Sequence, residues 1–224
     1  MNKYVCEFIG TFFLVFTVGN TVIHGGEGVI PPLAIGSMLM VMIFATGHIS
    51  GGHLNPAVTL AVWMRGKCAT GDVAGYMIGQ ILGGLVAACL VLFMKGHPAV
   101  VPMQFPNGPV VPLIAEFLGT FALAFVVLNV ATAKANASNS FYGLAIGFTV
   151  VAAAFSLGSY SGGAFNPAVA IGATIMGLNA AANLWIHLVA DFLGGAVAAL
   201  VFRVVSREDV QAQVVAPETV PVQH

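Results

Sequence analysis

The residues able to do chemistry sit in two short polar phrases. One reads Ser50-Gly51-Gly52-His53-Leu54-Asn55-Pro56-Ala57, the other Ser161-Gly162-Gly163-Ala164-Phe165-Asn166-Pro167-Ala168. Asn is favoured as a helix N-cap and Pro at the first helical position, so Asn55-Pro56 and Asn166-Pro167 each start a helix. The glycine-rich approaches can present backbone carbonyls, from Gly51, Gly52 and His53 in one copy and Gly162 and Ala164 in the other. The Asn amides can donate hydrogen bonds, and each helix start carries the positive end of its dipole. Such groups orient and pass a neutral polar solute, and they break no bonds. No phosphate-binding loop, activated nucleophile or catalytic carboxylate pair accompanies them, so an enzyme is not expected. No His/Cys/Asp/Glu set has metal-ligand spacing, so neither metal nor cofactor is expected. Cys6, Cys68 and Cys89 lie in or beside apolar stretches and read as small core residues, neither a disulfide set nor a metal site.

Three histidines and one acid need weighing. His187 and Asp191 stand one helical turn apart in the last apolar stretch. A His–Asp pair at membrane depth reads either as a proton-sensitive switch or coupling pair, or as a mutually satisfied packing pair. His48, just before the first phrase, and the His53 side chain are expected to brace the loop.

The elements that position these residues follow from composition. The chain is 58% hydrophobic and 7% charged, with a mean hydropathy of +0.96. A soluble domain carries roughly 25% charged residues, so the main solvent here is lipid. The net charge of −1 leaves no basic surface for nucleic acid. Six runs are long enough to span a bilayer, near 4–23, 33–50, 73–95, 111–133, 140–158 and 183–205. The first keeps Glu7 inside it and reads as a span rather than a leader. After each polar phrase comes a short helix, 55–65 and 166–177, which reaches only halfway across. With both termini cytoplasmic, Lys3, Arg65, Lys67, Lys134, Arg203 and Arg207 fall inside and only Lys95 outside.

The halves repeat. Glu7–Phe16 returns as Glu116–Phe125, Gly47–Val58 as Gly158–Val169, and Gln80–Ala88 as Asp191–Ala199. Three matched blocks in one order imply duplication. Three spans per half insert the second half upside down, which places a solute site where the halves meet. The domains expected are 1–107 and 108–205 as inverted repeats, with 206–224 as a flexible cytoplasmic tail. The stretch 96–109 reads as an external loop joining them.

On these blocks the chain resembles the aquaporin and aquaglyceroporin family, the major intrinsic proteins, over nearly all of residues 3–205. The fold this implies is an all-α membrane protein with six transmembrane helices and two re-entrant half-helices. The resemblance also implies homotetramers with one pore per subunit, and Glu7 and Glu116 bonding the re-entrant loops. In most of the family an arginine follows three residues after the second Asn; here it is Val169. The family's other constriction positions fall on Ile35, Ala154 and Gly163. A filter of this composition is wide, apolar and uncharged, because losing arginine removes a fixed cation, five donors and bulk.

The expected function is passive conduction of water and small uncharged solutes: glycerol, urea, ammonia, or neutral metalloid acids such as arsenite. A water-selective pore and a proton-coupled transporter built on His187–Asp191 are the competing readings, followed by a structural protein with an occluded pore. The setting expected is the cell (inner) membrane.

Overall fold

In lipid no water satisfies exposed backbone groups, so a long apolar run closes its hydrogen bonds within itself as a helix. The computed structural model, which describes residues 1–24 and 28–206, follows this rule. Six helices are long and apolar enough to cross a membrane. They are α1 (Asn2–Val22), α2 (Ile30–Ser50), α4 (Thr70–Met94), α5 (Val110–Thr132), α6 (Tyr142–Ser161) and α8 (Leu184–Val205). Two nine-residue helices, α3 (Pro56–Met64) and α7 (Pro167–Ile175), complete the set. No strand occurs among the described residues; Met103 and Asn179 form one isolated bridge. The tail expected beyond residue 206, with Arg207, lies outside the described residues.

The helices cross closely because glycine removes side-chain bulk at the contacts. A Cβ on Gly83 of α4 would lie 2.3 Å from the Phe8 carbonyl of α1. In the other half, a Cβ on Gly194 of α8 would lie 2.7 Å from the Phe117 carbonyl of α5. Between the halves, α2 and α6 meet at Gly36 and Gly147, each facing the other's carbonyl. The half-helices are clamped reciprocally. Ala57 at the start of α3 presses on Gly195 of α8, and Ala168 at the start of α7 presses on Gly84 of α4. The outer surface stays apolar, with Ile9, Phe13, Leu82, Val86, Phe148 and Leu193 exposed. Cys89 belongs to that surface and not to the core.

One face carries the start of α1 and the end of α8; it is called the terminal face. Lys3 pairs there with Asp72 at the start of α4, and Arg203 donates to the Met64 carbonyl at the end of α3. Arg65 lies over the Phe202 ring, 4.9 Å from its centroid. Asn136 and Asn139 tie the α5–α6 connection to the end of α5 through the Asn129 and Val130 carbonyls. At the opposite face Lys95 donates to the Ile23 carbonyl, 2.5 Å away.

Candidate functional site

Each polar phrase turns inward through left-handed backbone. Gly51 and Gly162 close α2 and α6 at φ 88° and 93°, and Gly52 and Gly163 follow at 62° and 67°. Leu54 and Phe165, which are not glycine, also adopt φ of 50° and 49°. Such values are costly for residues with a Cβ, so something must hold the loops.

Buried carboxylates do so. Glu7 Oε1 accepts from Ser50 Oγ at 2.7 Å and from the His53 N–H at 3.0 Å. Its Oε2 accepts from the Leu54 N–H and from Gln80 Nε2, both at 2.7 Å. Glu116 repeats the pattern on Ser161 Oγ at 2.5 Å, the Ala164 N–H at 3.0 Å and the Phe165 N–H at 2.7 Å. Tyr76 adds a hydroxyl bond to the Ser50 carbonyl at 2.7 Å.

The two loops then meet tip to tip. Asn55 Oδ1 caps α3 by accepting from the Ala57 N–H, and Asn166 Oδ1 caps α7 by accepting from the Ala168 N–H. One amide hydrogen of each Asn crosses to the other half. Asn55 Nδ2 donates to the Phe165 carbonyl at 2.9 Å, and Asn166 Nδ2 donates to the Leu54 carbonyl at 2.8 Å. That bond leaves a second N–H on each amide, and both side chains line a cavity. Pro56 and Pro167 are buried beside them at the first helical positions and expose no N–H.

This cavity encloses about 270 Å³ and runs from Val101, Met103, Leu178 and Asn179 to the paired Asn residues and beyond. A second recess of about 430 Å³ opens at the terminal face beside Lys67, Cys68, Asp72 and Thr132. His53 and Val127 are walls of both. The first cavity's wall is mostly aliphatic, and among the described residues no Lys, Arg, Asp or Glu lines it.

The structure places the expected residues as follows. Ile35, Gly163 and Val169 line the cavity, as do Gly52, His53, Gly162 and Ala164. Ala154 is not among the lining residues; its side chain ends at Cβ, and α6 contributes Val150 and Ile146 instead. Gly51 lines the second recess rather than the cavity. His53 braces its loop through Nδ1, 3.2 Å from Thr59 Oγ1, with its ring against Tyr76. His48 does not support the loop. It is exposed on the last turn of α2, because Thr46 and Ser50 occupy the buried face and helical phase turns residue 48 away. His187 is not paired with Asp191. Its Nδ1 lies 3.4 Å from Glu116 Oε1, while Asp191 Oδ1 accepts from Thr120 Oγ1 at 2.8 Å.

Sequence reasoning missed most of the wall. Leu14 and Leu123, Val18 and Val127, Ile35 and Ile146, Leu39 and Val150, and Val58 and Val169 line the cavity as pairs that occupy matching places in the two halves. Applying the repeat to the expected Ile35, Val169 and Ala154 finds Ile146, Val58 and Ile43, whereas Leu14, Leu123, Val18, Val127, Leu39 and Val150 match no expected residue. Val101, Met103 and Asn179 carry no such signal. The Met103 N–H donates to the Leu178 carbonyl at 2.9 Å, which draws the connecting segment over the mouth.

The family model for the major intrinsic protein matches residues 1–202. "Glycerol uptake facilitator protein-like 6" of Lactiplantibacillus plantarum is 38% identical over 217 residues, covering 93% of this chain and 100% of that protein. "Aquaporin NIP1-4" of Oryza sativa subsp. japonica is 34% identical over 212 residues, covering 92% of this chain and 77% of that one. The X-ray structure of the aquaglyceroporin from Plasmodium falciparum superposes with a TM-score of 0.80 at 22% identity, covering 93% of this chain and 98% of that one.

Proposed function

The chain belongs to the major intrinsic protein family, multi-pass membrane channels for water and small solutes and not enzymes, and we propose that this member passes uncharged solutes larger than water. The observation that carries the reading is the cavity wall at Ile35, Gly163 and Val169, which no lysine or arginine lines among the described residues. A solute entering this wall sheds water against apolar surface. It regains hydrogen bonds from the free N–H of Asn55 and Asn166 and from the loop carbonyls. Both half-helix starts point positive ends at the same place, which repels cations and breaks the orientation of a proton-conducting water chain.

The solutes we assign are water with glycerol, urea, ammonia and neutral metalloid acids such as arsenous acid. Glycerol is supported by the name of a relative that this chain matches over its whole length. Residues 1–107 and 108–205 act as the two inverted repeats, and the reciprocal Glu7 and Glu116 bonding supports that division. The working unit is a homotetramer with a pore in each subunit. It lies in the cell membrane with both termini cytoplasmic, as the basic residues gathered at the terminal face support.

The test is the flux law in proteoliposomes. A channel gives glycerol and urea flux that rises linearly with concentration and ignores a proton gradient. Saturable flux that follows the gradient would favour a coupled transporter and overturn the reading.

A further inference from the structure

The two halves support their loops with different chemistry. In the first, Gln80 Nε2 donates to Glu7 Oε2 at 2.7 Å and to Thr59 Oγ1 at 2.9 Å. In the second, the residue matching Gln80 is Asp191, and Thr120, one turn after Glu116 on α5, holds its carboxyl beside the Glu116 carboxyl. Glu116, His187 and Asp191 are all fully buried. Two adjacent buried carboxylates cannot both stay ionised at low cost, and no amide is present to separate them. Asp191 Oδ1 accepts from Thr120, but Oδ2 has no partner. His187 does not resolve this. Its Nδ1 comes within 3.4 Å of Glu116, yet neither ring nitrogen makes a directed hydrogen bond. Around the cluster, α5 supplies Glu116, α8 supplies His187 and Asp191, and the segment before α5 supplies the Phe105 ring, 6.4 Å from His187. The sequences of α3, α7 and residues 162–166 contain no ionisable side chain.

We propose that Asp191 is a positioning residue that keeps a proton and through it donates a hydrogen bond to Glu116, doing in the second half what the Gln80 amide does in the first. The orphaned Oδ2 then becomes an O–H donor, and the pair holds a single negative charge. Glu116 keeps its remaining lone pairs for Ser161 and the Ala164 and Phe165 N–H groups. Glu116 holds the Ala164 and Phe165 N–H groups, so the shared proton sets the place of the second loop, of Gly163 and of the second Asn. The flux arm of the following test rests on the channel reading above; the spectroscopic arm does not.

The full-length protein in liposomes is examined by infrared spectroscopy at neutral pH, as wild type and as Asp191→Asn. The expected result is a protonated-carboxyl C=O band, slow to shift in D₂O, that is present in the wild type and missing in D191N. The asparagine of that variant keeps the size of the side chain and supplies an N–H donor, so glycerol flux should be retained. Asp191→Leu offers no donor and should lose about tenfold in flux. A wild type without the band places the proton on His187 and overturns the proposal. So does a band that survives D191N, or wild-type flux in D191L. Should D191L fail to assemble, the band comparison between wild type and D191N decides alone. Absence of flux in every form refutes the channel reading and leaves the band comparison intact.

Discussion

Val169→Arg would return a guanidinium to a wall that now holds none. Val169 faces the cavity from α7 and is only 6% exposed, so a longer side chain must extend into the 270 Å³ void. That void equals the liquid volume of about nine waters, and a guanidinium with its hydration fills a large share of it. Forcing bulk into a close-fitting apolar space costs about 1–3 kcal/mol. Applied to the crossing barrier of a glycerol-sized solute, that is roughly a 5- to 150-fold loss of flux, at about 1.4 kcal/mol per factor of ten. Water is smaller and can bond to the new donors, so its flux should fall much less. The assay is stopped-flow light scattering on proteoliposomes with matched protein content, for water and glycerol in turn. The expected outcome is a marked fall in the glycerol-to-water ratio. An unchanged ratio in a correctly assembled V169R protein would show that Val169 does not stand at the limiting constriction, and the size argument would fail.

Three further outcomes follow from the packing and bonding. Glu7→Gln leaves an amide facing four donors, from Ser50, His53, Leu54 and Gln80, and should lower stability by about 1–3 kcal/mol; an unchanged thermal transition in detergent would refute the loop-support role. Gly195→Ala places a Cβ 2.5 Å from the Ala57 carbonyl and should cost about 1–3 kcal/mol, whereas Gly71→Ala meets nothing within 4 Å and should leave the melting temperature nearly unchanged; equal shifts would contradict the clamp between α8 and α3. Cys68 lines the recess at the terminal face, and burial pushes its thiol up, so maleimide labelling should keep rising with pH above the ordinary thiol value near about 8.5 and should slow solute flux. A Cys68→Ser protein that remains equally sensitive to the reagent would place the block elsewhere.

Much of this arrangement was legible because a few residue types have narrow physical uses. Asn-Pro after paired glycines has one economical place, the start of a helix, and the structure caps α3 and α7 in that way. Glu7 and Glu116 needed partners to exist at membrane depth, and loop N–H groups are what the fold offers them. The six expected spans end within a few residues of the observed helices, since hydropathy and length dominate in lipid. What the sequence hid depends on contacts between distant elements. His187 and Asp191 are one turn apart on α8, and that spacing pointed to a pair, yet Glu116 from α5 comes between their interests. Ala154 is a constriction position implied by the family resemblance, and the cavity wall takes Ile146 and Val150 from α6 instead. His48 lost its expected role to Ser50, which bonds Glu7 of α1, and to Tyr76 of α4, contacts that form only between distant elements. The connecting segment has no periodicity from which Val101 and Met103 could be assigned to the cavity.

The most direct measurement of the central claim is the activation energy of glycerol permeation through wild-type proteoliposomes, taken beside that of water on the same preparation. An uncharged, permissive filter gives glycerol flux well above empty liposomes with a low activation energy, alongside water. Water flux without glycerol flux, or glycerol crossing only with the high activation energy of the bare bilayer, would contradict it.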